Sequence, residues 1–218
     1  MRVAIRALLL AGCWPGIVLA QDVPPGPEQG GPLNWTVSGN VGAVDVRRQA
    51  AADAPVVGRF APGTLLDNLG CLRHEGHVWC DVQRFGGGLR GFVSARYLAP
   101  VRSSQGEVIV GPDDSALRAG LGEFDATGEI QCAYGGGQAL RKCRFGVARG
   151  AGGYATIVVD LPNGRRRSIF FRLGVAMGAD TSQADGYPEF HASRVGDHHA
   201  IGIGDERYEV PAALIAGD

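Results

Sequence analysis

Thirty-five glycines are spread through a chain of 218 residues. That is roughly 16%, more than twice the average near 7%. They follow no collagen period and form no low-complexity block. The simplest cause is a chain with many tight turns, because glycine reaches left-handed backbone conformations that other residues avoid. Many turns in a short chain mean many short strands, so an all-β fold is expected. Charged residues make up 20% and hydrophobic residues 45%, with a formal net charge of −1. This balance excludes a disordered chain and argues against nucleic-acid binding, which needs a strongly basic footprint.

Residues 1–20, MRVAIRALLLAGCWPGIVLA, read as an export signal. Arg2 and Arg6 form a positive start, an apolar stretch follows, and Val18-Leu19-Ala20 ends in small-residue cleavage style. Loss of the two arginines takes the net charge from −1 to −3. Pro15 and Gly16 break a stretch already too short to span a bilayer. A rival reading takes Leu10-Ala11-Gly12-Cys13 as a lipobox, with Cys13 the lipidated residue. The apolar run before Cys13 would then be only Ala7 to Ala11, shorter than usual. A soluble periplasmic or secreted protein is therefore favoured, and membrane attachment is expected only through a lipidated Cys13.

Cys71, Cys80, Cys132 and Cys143 remain after either cleavage. Four cysteines in an exported chain suggest two disulfides, and local pairing, Cys71 with Cys80 and Cys132 with Cys143, is expected. Around the first pair the argument is geometric. A hairpin turning at Glu75-Gly76 sets His74 against His77 as a hydrogen-bonded pair. Counting outward, Cys71 and Cys80 face each other at a non-hydrogen-bonded position, with Cα atoms roughly 4.5–5.5 Å apart. The second pair flanks Gly135-Gly136-Gly137-Gln138, where the loop length is less certain. Structural zinc, the rival use, prefers cysteines two to four residues apart.

After a Pro/Gly-rich tether (21–32), residues 33–101 carry Val44-Asp45-Val46-Arg47, Ala54-Pro55-Val56-Val57-Gly58 and Pro62-Gly63-Thr64-Leu65-Leu66. Trp79-Cys80-Asp81-Val82, Gly91-Phe92-Val93 and Tyr97-Leu98 follow. In kind and order these resemble the bacterial Src-homology-3-like (SH3-like) module of envelope proteins. Phe92 stands where that pattern usually has Trp, and the acidic and aromatic ligand motif of eukaryotic SH3 domains is absent, so proline-rich ligands are not carried over. The resemblance implies a small barrel acting as a targeting or cell-wall-binding unit. Its partner would be a peptidoglycan peptide or another periplasmic protein. Trp79, Phe92 and Tyr97 are the aromatic residues expected to line its groove.

Residues 102–122 form a connector, in which Asp113-Asp114-Ser115 can cap a short helix running to Leu121. Residues 123–218 return to β structure. From Tyr154 to Leu161, Ala155, Ile157, Val159 and Leu161 share a face; a two-residue turn is expected at Asn163-Gly164. On the returning strand Ile169, Phe171 and Leu173 face one way, and Arg166, Ser168, Phe170 and Arg172 the other. A small antiparallel sandwich or barrel follows. This half resembles an uncharacterised domain that follows SH3-like modules in exported proteins of Gram-negative bacteria. The likeness rests on Phe124-Asp125-Ala126-Thr127-Gly128, 143–149 (CRFGVAR), 179–187 (ADTSQADGY) and 204–211 (GDERYEVP). It carries no assigned activity.

No catalytic constellation emerges, and no enzyme, cofactor or metal is expected. Gly86, Gly88 and Gly91, and Gly150, Gly152 and Ala155, match phosphate-loop spacing but open no helix of a βαβ unit. His74-Glu75-Gly76-His77 falls one residue short of a zinc-peptidase helix motif. His198 and His199, being adjacent, point to opposite faces of a strand and do not share a metal. Asp180 to Gly186 faintly resembles a calcium loop, but its glycine is one position late. Arg165, Arg166, Arg167 and Arg172 are candidates for contact with an anionic envelope polymer. The leading expectation is an exported, non-enzymatic binding protein. One alternative is an envelope enzyme or enzyme inhibitor built on His191, Asp197, His198 and Arg172, although Ser182 and Ser193, the serines that could be nominated as nucleophile, sit in no Gly-x-Ser-x-Gly elbow; the other is a lipid-anchored scaffold.

Overall fold

A computed structural model describes residues 22–38, 42–181, 186 and 188–217. The proposed export signal, Cys13 and Ser182 lie outside the described residues, as does most of the calcium-like loop. The chain is all-β, with two antiparallel sheets and a short helix between them.

The first sheet contains β1 (Asn34–Val37), β2 (Val44–Arg47), β3 (Val56–Phe60), β4 (Leu65–His74), β5 (His77–Arg84), β6 (Arg90–Ser94) and β7 (Leu98–Pro100). They lie in the order β3-β2-β6-β5-β4-β1-β7. Alternation along each strand sends Val44, Val46, Leu66, Cys80, Val82 and Val93 inward onto Trp35, Val37 and Phe60. The β4–β5 hairpin has the expected register, with His74 opposite His77 and Cys71 opposite Cys80. Glu75 and Gly76 both adopt positive φ, 49° and 79°, as a two-residue turn between twisted strands demands. The Cys71 and Cys80 Cα atoms stand 3.9 Å apart and the sulfurs are bonded.

The second sheet is a meander of β8 (Ala126–Ala133), β9 (Arg141–Arg149), β10 (Ala155–Asp160), β11 (Arg166–Arg172), β12 (Val175–Ala179), β13 (Phe190–Val195), β14 (His198–Ile203) and β15 (Glu206–Pro211). Strand β15 pairs back onto β8, and the end strands β12 and β13 approach each other. The sheet thereby curls into a nearly closed barrel around Ile157, Val159, Ile169, Phe171, Ile201, Ile203 and Tyr208. Cys132 and Cys143 tie β8 to β9.

Two local differences from the sequence expectation have physical causes. The β10–β11 turn spans three residues, 162–164: Leu161 donates to Arg165 O (2.8 Å) and Gly164 donates to Leu161 O (2.9 Å). Pro162, with φ fixed by its ring, suits the second position of a type I turn, and only Gly164 takes positive φ, 81°. The outer face of β10 is also buried. Helix α1 (Ser115–Leu121) covers it, packing Ala119 and nearby Phe124 against Ala148 and Val158. Asp113, one residue earlier than the helix's own cap position, accepts a hydrogen bond from Ser115 N at 3.1 Å.

A buried polar chain joins the two sheets. Tyr154, beside β10, donates its hydroxyl to Asn34 Oδ1 on β1 (2.6 Å), and Asn34 donates to Asp67 Oδ1 on β4 (3.1 Å). Arg172 reaches Asp67 Oδ2 at 3.5 Å and lies over the rings of Phe85 and Tyr154. Burial, only partly offset by Arg172 and Asn34, raises the Asp67 carboxyl above its ordinary value.

Candidate functional site

The alternation that points Val44 and Val46 into the first core leaves Asp45 and Arg47 on the outer face of β2. On β5 the same rule turns His77 and Trp79 outward, with Trp79 opposite Ser94 of β6. A short 3-10 turn, Ala95–Tyr97, then presents Arg96 and Tyr97 beside them. Together with Ala43, Ala52 and Arg59 these residues line a groove of about 760 Å³. Trp79 is 7% exposed although it belongs to the outer face: the groove walls cover it.

Charge in this groove is uneven, since three arginines stand against the one carboxylate of Asp45. Arg59 Nε donates to Asp45 Oδ1 at 2.8 Å, and Arg47 lies 3.5 Å from Oδ2. Arg47 is further fixed by its bond to Ala54 O (2.7 Å). Arg96 stacks over the Tyr97 ring at 4.5 Å, so the cation extends an aromatic platform. Such a site suits an extended ligand with a small apolar group against the rings and negative charge along the edge.

Of the three aromatic residues expected at a binding groove, Trp79 and Tyr97 border this hollow. Phe92 sits on the same outer face, opposite Arg47 and Asp81, beside the lining. The lining residues Asp45, Arg47, Arg59, His77 and Arg96 were not assigned to a groove from the sequence. The signal was available for two of them, because Val44-Asp45-Val46-Arg47 alternates.

The four arginines proposed to contact an anion do not form one surface. Arg165 is at the β10–β11 turn, Arg166 is exposed and 3.6 Å from Asp160, and Arg172 is in the contact between the sheets. Arg167 departs most from the expectation: at 3% exposure its guanidinium lies inside the barrel, making bidentate bonds of 2.9 Å to Glu206. Arg167 also donates to Asp180 O, and Tyr208 donates to Glu206 Oε2 at 2.6 Å. Burial alone would raise the Glu206 carboxyl; hydrogen bonds from Arg167 and Tyr208 outweigh it and hold the group below its ordinary value.

Nor do His191, Asp197, His198 and Arg172 converge. His191 and Ser193 border a shallow hollow on the outer face of β13–β15; His198 borders another, near Glu129 and Lys142. Asp197 lies 2.5 Å from His198 Nδ1, while Arg172 belongs to the contact between the sheets. His199 points inward, 5% exposed. Among the described residues no three His, Cys, Asp or Glu side chains are grouped to hold a metal ion. Gly86 and Gly88 lie between β5 and β6 and Gly91 lies in β6, while Gly150 precedes and Gly152 lies within a three-residue 3-10 turn, Ala151–Gly153, and not an α-helix of a βαβ unit.

Residues 42–99 match the family model of the bacterial SH3 domain. This segment is a bacterial SH3-like domain. The match runs from the start of the groove lining through β7 and omits β1, which adds a strand to the SH3-like sheet. No curated protein and no solved structure matches the chain.

Proposed function

We propose that this protein is exported to the cell envelope and binds peptide there through the outer groove of its SH3-like domain, without catalysing a reaction. The observation that carries the reading is the groove itself: Trp79 and Tyr97 beside Arg47, Arg59 and Arg96, on a bacterial SH3 domain. Two cysteine pairs at bonding distance fit an oxidising compartment such as the periplasm. The peptide stems of the cell wall are the partner of choice, being abundant in that compartment and rich in small side chains and carboxylates. Domain limits of 33–101 for the SH3-like unit and 123–218 for the barrel accord with this division of labour. The barrel would be a platform to which the binding unit is fixed through Asn34, Tyr154 and Asp67.

Co-sedimentation of the mature chain with purified peptidoglycan sacculi tests the reading. Saturable pelleting that Tyr97→Ala weakens several-fold is expected. No pelleting across a range of salt concentrations would remove the wall-binding function. Fractionation of cells with and without Cys13→Ala separates soluble export from lipid anchoring, and soluble export predicts the same periplasmic pool in both.

A further inference from the structure

We infer that the SH3-like groove selects its peptide by a free carboxylate, which Arg59 and Arg96 receive, with a small apolar side chain placed against Trp79 and Tyr97. This rests on the peptide-binding reading above and names the chemistry of the ligand. The fold already holds one carboxylate at the groove, that of Asp45, between Arg59 at 2.8 Å and Arg47 at 3.5 Å. That carboxylate balances one of three cations and leaves the lining with a net positive charge.

The donors differ in what remains for a ligand. Arg47 is committed, to Asp45 on one side and to Ala54 O on the other. Arg59 touches Asp45 through Nε, and its side chain is 69% exposed, so its terminal nitrogens are accessible to a ligand in the groove it lines. Arg96 spends one terminal nitrogen on the Tyr97 hydroxyl, with its guanidinium carbon 4.5 Å from the centre of that ring. A guanidinium so held has lost most of its rotamer freedom before a ligand arrives, and its remaining donors match a carboxylate edge. Ala43 and Ala52 also line the groove, and their small side chains suit a ligand group of methyl size. The occupant this describes is a wall stem peptide, in which carboxylates lie next to alanine-like side chains.

The test compares native sacculi with sacculi whose carboxyl groups have been converted to amides by carbodiimide and ammonium. Both are pelleted with the full mature chain at physiological salt. Binding to the amidated wall is expected to fall at least about tenfold, the scale of one lost charge-assisted contact. Arg59→Gln and Arg96→Gln should each weaken binding to native sacculi by a similar factor. Arg144→Gln, which removes an exposed arginine on β9 of the barrel, should leave binding unchanged. Equal binding to native and amidated walls would overturn carboxylate selection while leaving wall binding intact. A carboxylate-dependent interaction that Arg59→Gln and Arg96→Gln do not weaken would place the contact elsewhere and overturn the assignment. Failure to bind native sacculi at all would remove the parent reading and this one with it. Both substitutions change exposed side chains, and an unaltered melting temperature confirms that the variants are folded.

Discussion

In the SH3-like sheet Arg47, Arg59 and Arg96 stand on the outer face around a groove, whereas in the barrel Arg167 lies inside, locked to Glu206 and beside Tyr208. The same side chain thus serves two ends. Outside, a guanidinium keeps its hydration and retains donors for a partner. Inside, it has given up water, and it is tolerable only because a carboxylate pairs with it bidentately. On the proposed reading the first sheet carries recognition and the second supports it.

Cutting the internal tie is the largest way to break this contrast. Arg167→Met leaves Glu206 buried without its cation and should cost about 3–5 kcal/mol. Arg59→Gln, at a solvated pair, should cost less than about 1 kcal/mol. Urea denaturation of both variants reads the difference. Comparable losses would mean that the groove arginines are structural as well. Replacing Arg167 and Glu206 together by leucines should recover much of the loss, because no lone charge is then left inside.

The two disulfides come next. They close sequence separations of 9 and 11 residues, and chain-entropy reasoning gives about 3 kcal/mol for each. Nearly equal loops predict nearly equal losses for Cys71→Ser/Cys80→Ser and Cys132→Ser/Cys143→Ser, measured as shifts in denaturation midpoint. A far larger loss in one sheet would show that its bridge carries structure beyond loop closure.

Between the sheets the effect should be smaller. Tyr154→Phe removes the donor to Asn34 Oδ1, which is wholly buried, and should cost about 1–3 kcal/mol. If this contact holds the two sheets as one unit, the variant should also be cut faster by protease in the 102–112 stretch. Loss of stability without faster cleavage would confine Tyr154 to a role in the barrel.

How much of this was legible in the sequence depended on how far apart the interacting residues lie. The Cys71–Cys80 hairpin was readable to the residue, since turn chemistry and strand parity are local. So were the inward faces of β10 and β11. Return of β15 to β8 was not readable, because nothing local encodes which distant strand pairs. Arg167 shows a different failure. Parity places it with Ile169 and Phe171, yet its position in a run of three arginines suggested a solvated face. A buried partner more than thirty residues away decided the matter. Around the hollow, Trp79 and Tyr97 were named from the sequence pattern, while Arg59 and Arg96 come from separate elements that only the fold brings together.

The smallest effect is a pH dependence that separates the two sheets once more. His199, inside the barrel and edge-on to Phe171 at 5.2 Å, is held below the ordinary histidine value by burial and then by Arg194. The folded state therefore binds a proton less readily than the unfolded chain. His199 contributes stability above its unfolded value near 6.5, and that contribution is lost as pH falls from there through the lower folded value. Glu206, also depressed, loses its contribution in the same direction but only below about 4.5. Asp67 has the opposite sign, since its raised carboxyl favours the folded state more as it protonates. Between pH 7 and 5 the melting temperature should therefore fall for the native chain and fall less for His199→Leu. One such group can supply at most about 1.4 kcal/mol per pH unit, so the slope and not the absolute stability is the readout. Parallel slopes for the two proteins would show that His199 protonates without disturbing the barrel, and that its interior is wetter than its burial implies.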